Sequence, residues 1–539
     1  MPRDFLEIRI HAPFTFGRDP PLCVRRFGGI FQGKTGKDCE KRRYAVLPEM
    51  AIIVRYLSKT VKRPEEGISV TKDLTRGSPM RLILGFTVPT LFGMLFQQLY
   101  NLVDTMVVGK LLGARALAAV GATGSINFFV IGFCMGLCSG FAIPVAQRMG
   151  AQEPGKMRRC VANAAYLAAA FALVLTVATG LLCRTILTAM NTPADIFEES
   201  RAYIFIIFMG IPATILYNLL AGIIRSLGDS RTPVYFLAMS SFLNIFLDFA
   251  LILWFHAGVA GAAAATVLSQ GVSGVTCLFY MRKKYPILHL SREERRLDLP
   301  SCRVLCAMGI PMGLQYSITA IGSIVLQTAV NGLGSLYVAA VAAGNKLFQL
   351  LACPYDAMGA AMATYCGQNA GACRLDRLGR GVRACTLMGF VYAVMAFAAM
   401  LVLAPQCAML FLDPKEQELT LLVDLTSRYI VTSCAFFFAL ALVNIFRFSI
   451  QGMGFSSFAV LAGVMEMAAR AAAGRFFVPA MGYTAACFAS PAAWVCADLF
   501  LVPACAACIR RLRRLCPDRK ENACEARIVP APARAGTER

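Results

Sequence analysis

Charged residues are scarce in this sequence. Only 16% of its 539 residues are charged and 57% are apolar, whereas about 25% of a typical soluble domain is charged. The few charges cluster between long uncharged runs instead of being spread along the chain. A globular surface built from such a sequence would have too few polar groups to face water. The composition therefore excludes a large soluble enzyme and indicates a membrane protein.

Histidine is almost absent. The three histidines are His11, His256 and His289, and none lies near a cluster of acids within the apolar runs. Most of the 21 cysteines lie inside apolar runs, as Cys160 and Cys183 do, which is typical of small apolar side chains. The sequence thus predicts no enzyme activity, no cofactor, no disulfide and no metal site other than one for a possible Na⁺.

Acidic residues are outnumbered by basic ones. The chain has 31 Asp and Glu against 53 Lys and Arg, a formal net charge of +22. The basic residues lie in short loops and tails around the apolar runs, without a recognition motif, so a nucleic-acid partner is not expected. Positive charge beside membrane spans holds loops in the cytoplasm. The excess of basic residues therefore indicates which loops lie in the cytoplasm.

Twelve apolar runs are long enough to cross a bilayer, which takes about 20 residues. They are 82–103, 116–147, 160–183, 202–224, 232–255 and 257–281, then 304–345 with 347–373 for two spans, 384–412, 429–446, 448–474 and 476–509. The sequence thus predicts an all-α polytopic membrane protein. Its lipid partner is the bilayer of the cell (inner) membrane.

Positive residues fall in every second loop. They lie at 156–159, 225–231, 282–296 and 374–383, and in the tail from 510. The alternate loops are poor in them, so the positive-inside rule places both termini in the cytoplasm. The predicted domains are an N-terminal extension (1–79, of which 1–69 is disordered or a gene-prediction artefact), two six-helix bundles (80–296 and 297–509), and a basic tail (510–539). Residues 71–75 read as the opening of a lead-in helix.

The chain repeats itself. A shift of 221 residues pairs Gln147 with Gln368, and a shift of 226 pairs Tyr203 with Tyr429, Asn218 with Asn444, and Gly228 with Gly454. Each half holds six spans, so the halves have the same orientation and are related by an axis along the membrane normal. Two such pseudo-symmetric bundles enclose a cavity, and rocking them gives alternating access.

Several motifs resemble those of the multidrug and toxic compound extrusion (MATE) family, over roughly residues 72–510. They include Pro89 with Gln97 and 101–104 (Asn-Leu-Val-Asp), 147–151 with its echo at 367–372, 225–233, 244–248 and 261–266. The resemblance implies a transporter, expected to be monomeric, that exports organic cations or drugs in exchange for Na⁺ or H⁺. In one prokaryotic branch the N-half cation site has the pattern found here at Asp104, Asn244, Asp248 and Thr266.

The residues themselves support that site. Asp248 stands mid-span without a basic residue one turn away, although burying a carboxylate there costs about 2.5–3.5 kcal/mol on insertion scales. Asn244 is four residues earlier and shares its helical face. Carboxylate, amide and hydroxyl oxygens suit a hard monovalent cation, or the acid carries a proton. Structural roles remain alternatives: an Asp248 capped by polar neighbours, and an Asp104 that only marks a helix end.

Further polar residues are candidates for the substrate cavity. They are Gln98, Asn101, Asp356 and Glu466. Glu466 and Arg470 are spaced for an intrahelical ion pair, with Asp498 as a further partner for Arg470. Pro89 and Pro311 occupy equivalent places in the first and seventh spans and are predicted hinges, because proline removes a helical hydrogen bond.

Two readings of the substrate remain open. A flippase or exporter of a lipid-linked saccharide or other non-drug metabolite could share this architecture. The acids inside the spans, Asp248, Asp356, Glu466 and Asp498, favour cationic substrates instead. The sequence does not choose between Na⁺ and H⁺.

Overall fold

The computed structural model describes residues 72–412 and 418–516, which form helices and turns with no strand among them. The predicted extension 1–69 and most of the basic tail lie outside these residues and stay predictions. Residues 28–35 (Gly-Gly-Ile-Phe-Gln-Gly-Lys-Thr) match the spacing of a phosphate-binding loop and also lie outside the described residues. Such a match has functional meaning only between a strand and a helix.

Ten helices of the described chain can cross a membrane singly, and two bent pairs bring the number of spans to twelve. They are α1 (Pro79–Leu112), α2 (Ala114–Gly150), α3 (Pro154–Ala189), α4 (Phe197–Met209 and Ile211–Ser226), α5 (Arg231–Phe249), α6 (Gly258–Lys284), α7 (Leu299–Asn331), α8 (Ser335–Gly371), α9 (Leu375–Met409), α10 (Leu419–Ala435 and Phe437–Gly452), α11 (Ser456–Ala472) and α12 (Tyr483–Leu515). The predicted all-α fold with twelve spans is confirmed. In a bilayer such helices satisfy their own backbone hydrogen bonds.

The bends and π-helical turns repeat between the halves. α4 bends by 44° at Gly210 and α10 by 52° at Phe436, positions that obey the offset of 226 seen for Tyr203 and Tyr429. α5 runs into a π-helical turn, Ala250–Trp254, and α11 into another, Ala473–Phe477. The internal repeat is therefore present in the fold.

Two predicted boundaries are wrong. The lead-in residues 72–78 form turns, and α1 begins only at Pro79; Gly77 with φ of 92° and the proline after it stop a helix from starting earlier. The tenth span was expected at 429–446, yet α10 continues through Arg447 to Gly452. The prediction assumed that a span ends at a charged residue and therefore ended the tenth span before Arg447. In the structure Arg447 lies inside α10 and is paired with Glu466.

The spans alternate in direction, so their turns lie at two ends of the bundle. We call one the basic end: α1, α3, α5, α7, α9 and α11 begin there. The other, where they finish, is the opposite end. Large apolar residues on the outer faces are exposed, among them Leu173 and Leu181 on α3 and Val394 and Val402 on α9. Such a surface fits lipid.

Each half has its own apolar core, but its first helix starts against the other half. Leu74, Ile83 and Phe86 pack with the core of the C-half (α7–α12). Leu305 of α7 packs with the core of the N-half (α1–α6). The predicted division near residue 296 therefore separates the chain into halves whose ends are interlocked.

Glycines bring α2 and α7 together along the seam between the halves. A Cβ on Gly140 would overlap the backbone of Gly309, and one on Gly136 would overlap the backbone of Met312 and Gly313. Larger residues at these positions would separate the two helices.

The linker between the halves, 285–298, is tied to α3. Glu294 forms an ion pair with Arg158 at 2.8 Å and accepts a hydrogen bond from the Ser291 backbone N–H at 2.9 Å. These contacts hold the pKa of Glu294 at about 2, well below its usual range. The linker thus gives α7 a fixed start.

One predicted absence is corrected. Cys373, after α8, and Cys516, after α12, are joined as a disulfide, with 5.9 Å between their Cα atoms. The two cysteines are 143 residues apart, so their proximity follows from the arrangement of the helix ends and could not be read from spacing.

Candidate cation site and substrate cavity

Asp104 and Asp248 come together inside the N-half. Asp104 is two turns before the end of α1, so it does not mark a helix end, and Asp248 is completely buried next to the π-helical turn that follows α5. The two carboxyl groups are close enough to share a hydrogen bond when one is protonated. Both oxygens of Asp248 and Oδ1 of Asp104 have no hydrogen-bond partner among the described residues.

Asn244 and Thr266 complete the predicted set. The Asn244 Nδ2 donates to Thr266 Oγ1 at 3.3 Å, and Thr266 Oγ1 donates to the carbonyl of Ala262 at 3.2 Å. These bonds orient the amide so that Asn244 Oδ1 is buried without a partner in the described chain. The four residues predicted from sequence are thus brought to one place, with oxygens free to accept.

Two tyrosines at this site were missed by the sequence argument. Tyr100 lies close to Thr266 and within electrostatic reach of both acids, and Tyr203 on α4 is buried within reach of the same acids. Tyr100 is one turn before Asp104, on the same helical face. Tyr203 had been marked as a repeat match to Tyr429, so a signal existed for each.

This arrangement suits a small cation or a proton. Two adjacent carboxylates in a buried site repel each other and are poorly hydrated, so both are charged only when a cation lies between them. Carboxyl, amide and hydroxyl oxygens are ligands for hard cations. No group of three His, Cys, Asp or Glu side chains suited to a metal occurs in the described ranges.

Three of the four predicted cavity residues lie along the seam between α1 and α8. Asn101 is exposed, and its Nδ2 donates to Gln98 Oε1 at 3.3 Å. Gln98 is within hydrogen-bonding reach of Cys353 on α8. Asp356, three residues further along α8, is exposed although its neighbours on the helix are buried. This places an accessible carboxylate beside two amides.

Glu466 lies apart from them, buried in the C-half. Its carboxylate accepts from Arg470 at 3.3 Å, so the predicted intrahelical pair is confirmed. It also accepts from Arg447 of α10, which the sequence argument had placed between two spans. A buried carboxylate held by two guanidinium groups is compensated, so Glu466 is not a free acid for a substrate.

The same cluster includes Asp498 on α12. Its charge influences Arg447, whereas the sequence had suggested Arg470 as its partner. Asp498 Oδ1, Arg447 Nε and Arg470 Nη1 have no hydrogen-bond partner within the described structure. Of the two acids in this cluster, only Glu466 forms an ion pair with an arginine within the described ranges.

The predicted hinges, Pro89 and Pro311, both lie inside long helices, α1 and α7. Each removes one backbone hydrogen bond from its helix. Thr90, next to Pro89, donates its hydroxyl to the carbonyl of Phe86 at 2.9 Å. Their hinge role stays a prediction.

Comparison with known proteins agrees with this architecture. A sequence model of the MatE family matches residues 89–250 and 311–472, two segments of equal length that together cover more than half of the chain. They begin at Pro89 and Pro311, so the double match also confirms the internal repeat.

Two curated relatives come from Bacillus subtilis (strain 168). The probable multidrug resistance protein YoeA is 29% identical over 354 residues, which are 64% of this chain and 76% of the relative. The probable multidrug resistance protein YpnP is 29% identical over 299 residues, 56% of this chain and 67% of the relative.

A solved structure is similar over nearly the whole described region. It is described as the outward-facing conformation of a multidrug resistance MATE family transporter of the MOP superfamily, and it matches with a TM-score of 0.76 at 21% identity. The match covers 83% of this chain and 100% of that chain. At this identity the likeness shows the fold, two bundles of six helices. Together with the family match, it shows that this chain belongs to the MATE family of membrane transporters and is not an enzyme.

Proposed function

We propose that the protein exports organic cations, including drugs, by alternating access, and that entry of Na⁺ or H⁺ at Asp104 and Asp248 drives the export. The observation that carries this proposal is a pair of adjacent acids, a half-buried Asp104 and a completely buried Asp248, with no ion-pair partner among the described residues. Such a pair favours binding of a cation from either side of the membrane. Its binding free energy can then be coupled to a change of conformation.

Coupling requires that the cation site communicates with the helices that move. Asp104 is on α1, the helix that also carries Gln98 and Asn101 and crosses the seam. Asp248 and Asn244 are on α5, and Thr266 is on α6. A cation shared by these residues would pull α1 towards α5 and α6 and so change the seam that α1 forms with α8.

Asp356 is the proposed contact for a cationic substrate. It is exposed in the middle of α8, beside the seam, and a carboxylate there attracts positive charge. Glu466 is removed from this role because two arginines hold it. The proposal for a cationic substrate therefore rests on Asp356 and on the similarity to two relatives that are described as probable multidrug resistance proteins.

We place the basic end on the cytoplasmic side of the inner membrane. Arg374, Arg377 and Arg380 lie there after α8, and 510–514 hold four arginines at the end of α12. Short loops rich in Lys and Arg stay on the cytoplasmic side. The opposite end then faces outward.

The test is ethidium efflux from loaded cells that express the wild type, Asp248→Asn or the control Asp376→Asn, in sodium or choline buffer. Asp376 is exposed and pairs with Arg380 on the surface, so its variant should export like the wild type. We expect Asp248→Asn to fall to the level of cells without the protein, at equal expression. Dependence on sodium would identify the ion.

Full efflux by Asp248→Asn would remove this residue from the mechanism. Absence of efflux from wild-type cells would contradict drug export and favour the alternative of a non-drug substrate, such as a lipid-linked saccharide, on the same fold.

A further inference from the structure

Four sequence motifs that the cation site and the cavity do not use meet at the basic end. They are the lead-in segment (72–77), the end of α2 (147–151), the end of α4 (226–229) and the end of α8 (367–372). Two of these motifs belong to the N-half, one to the C-half, and the lead-in precedes both. Their contacts join the halves.

Two glutamines make the same bond in opposite directions. Gln147 Nε2 of the N-half donates to the Gly452 carbonyl of the C-half at 3.1 Å. Gln368 Nε2 of the C-half donates to the Ser226 carbonyl of the N-half at 2.8 Å. Gln147 and Gln368 are repeat equivalents, as are Ser226 and Gly452 by the offset of 226. The internal symmetry thus produces a reciprocal pair of bonds across the seam.

The backbones touch at the same place. A Cβ on Gly150 would overlap the carbonyl group of Gln368, and one on Gly371 would overlap that of Gln147. Only glycine permits this approach. The two halves are therefore closed on each other at the basic end, with no room for a passage between these turns.

The lead-in segment is bound into this closure. Its Leu74 N–H donates to Gln368 Oε1 at 2.9 Å, and Asn369 Nδ2 donates to the Leu74 carbonyl at 3.2 Å. Gln368 consequently uses one side-chain atom to hold the lead-in and the other to hold Ser226. On the N-half side, the Lys72 N–H donates to the Leu227 carbonyl at 3.0 Å.

Most of the lead-in contacts go to the C-half. Arg374 donates to the Thr75 carbonyl at 3.0 Å and Arg377 to the Gly77 carbonyl at 2.9 Å. Leu74 is almost completely buried in the C-half core. A segment with four hydrogen bonds and a buried side chain on the C-half, and one backbone bond on the N-half, should move with the C-half.

We propose that Gln147, Gln368 and the lead-in segment form the closure of the transport pathway at the basic end. When the pathway opens there, the two glutamine bonds and the Lys72–Leu227 bond break, while the lead-in stays on the C-half. Gln147 and Gln368 are positioning residues: they touch neither the cation nor the substrate and set the balance between closed and open states. This inference rests on the proposed alternating access.

The bonds are suited to a step that must reverse in every cycle. Each joins a neutral amide to a neutral carbonyl, and such bonds contribute modestly to stability because water replaces them on opening. Loss of one is expected to shift the closed–open balance about two- to tenfold.

The test is hydrogen–deuterium exchange of the purified protein in lipid nanodiscs, read on peptides that cover 72–78, 147–153 and 226–231. We expect Gln147→Leu and Gln368→Leu each to raise exchange in 147–153 and 226–231 by about two- to tenfold over the wild type. Gln406→Leu on α9 is the matched control, since Gln406 is exposed and its amide faces carbonyls of its own helix; it should exchange like the wild type.

A second variant separates the two roles of Gln368. In Gln368→Glu the carboxylate still accepts from Leu74 but cannot donate to Ser226. We expect faster exchange in 226–231 with 72–78 still protected. Loss of protection in 72–78 to the same extent would contradict a lead-in that moves with the C-half.

Exchange equal to the wild type in both leucine variants would overturn the closure. The readout uses neither substrate nor coupling ion, so it stands apart from the efflux test. A failure of Asp248→Asn to block efflux would count against the proposed function and leave the exchange result to be judged alone.

Discussion

Asp104 and Asp248 in the N-half lie side by side with no described base to neutralise them, whereas Glu466 in the C-half is bonded by Arg447 and Arg470. The two halves share one scaffold, so this difference lies in a few side chains. Removing one partner of a buried ion pair leaves an uncompensated charge. An acid without a base in the chain, by contrast, can be neutralised by a proton or a cation from solution.

The internal repeat shows which residues of the C-half stand at the positions of the two N-half acids. The fifteenth residue after Pro89 is Asp104, and the fifteenth after Pro311 is Leu326. The twentieth residue after Gly228 is Asp248, and the twentieth after Gly454 is Gly474. A Cβ on Gly474 would be 3.9 Å from the Leu326 Cα, so these two positions also face each other. The C-half has no acid pair at these positions and packs apolar groups there.

Arg470 takes the place of Asn244 in the same comparison. Each is the sixteenth residue after its glycine. In the N-half the neutral amide of Asn244 lies beside the two acids. In the C-half the guanidinium group of Arg470 lies beside the acid Glu466. This acid of the C-half is paired with arginine side chains of the chain itself. Under the proposed function, the acids of the N-half pair instead with an ion taken up from solution.

The largest expected effect is on stability, and it tests the difference between the two halves directly. Glu466→Gln leaves two buried arginines without their shared acid, and we expect a loss of about 3–5 kcal/mol. Asp248→Asn removes an unpaired buried charge and should leave stability equal or higher, although transport is lost. Thermal unfolding of the purified proteins measures both.

Asp376→Asn is the control for this pair, because exposed ion pairs contribute little to stability. A lower unfolding temperature for Asp248→Asn than for Glu466→Gln would reverse the assignment of roles to the halves.

The contact between α2 and α7 differs from its repeat equivalent at α8, and a smaller effect on stability tests this difference. Gly140 of α2 meets the backbone of α7, whereas its repeat equivalent on α8 is Ala361, which already carries a Cβ. Gly140→Ala should therefore destabilise the protein by about 1–3 kcal/mol. Its unfolding temperature should fall below that of the wild type.

Gly124→Ala is the control on the same helix. No atom lies within 4 Å of a Cβ placed there, and alanine favours a helix over glycine by up to about 1 kcal/mol. Equal behaviour of the two alanine variants would contradict a seam that depends on glycine.

The smallest effect concerns the segments that lead into each half. Glu294 ties the linker to Arg158, and its pKa of about 2 is below the usual value of about 4.3. A lowered pKa contributes stability above about pH 4.3, and this contribution is lost as the pH falls towards 2. Glu294→Gln should therefore lower the unfolding temperature at pH 7, and its difference from the wild type should shrink between pH 5 and pH 3.

The lead-in segment offers the contrast. It is held to the C-half by amides and by arginine bonds to carbonyls, and no carboxylate takes part in these bonds. Glu198→Gln is a matched control, because Glu198 pairs with Arg201 at the surface. A pH-independent difference for Glu294→Gln would contradict the role of its charge.

The cation site could be predicted because its residues belong to recognisable patterns. Asn244 and Asp248 are one helical turn apart, and the family resemblance pointed to Asp104 and Thr266. Tyr100 and Tyr203 were missed, since aromatic residues in apolar spans are usually taken as lipid or core contacts. Three-dimensional packing was needed to show them beside the acids.

The C-half cluster could not be predicted for a different reason. Spans were delimited by charged residues, so Arg447 was read as a boundary. Its partner Glu466 is on another helix, 19 residues away. The Cys373–Cys516 pair and the lead-in contacts likewise join segments far apart in sequence, and no local pattern reports such contacts.

The most direct test of the central claim is ion movement in proteoliposomes. A gradient of a cationic substrate is imposed, and the counter-movement of protons or radioactive sodium is recorded for the wild type, Asp248→Asn and Asp356→Asn. We predict that Asp248→Asn abolishes the ion movement, whereas Asp356→Asn retains it at saturating substrate. Ion movement in Asp248→Asn equal to that of the wild type would contradict coupling through the N-half acids.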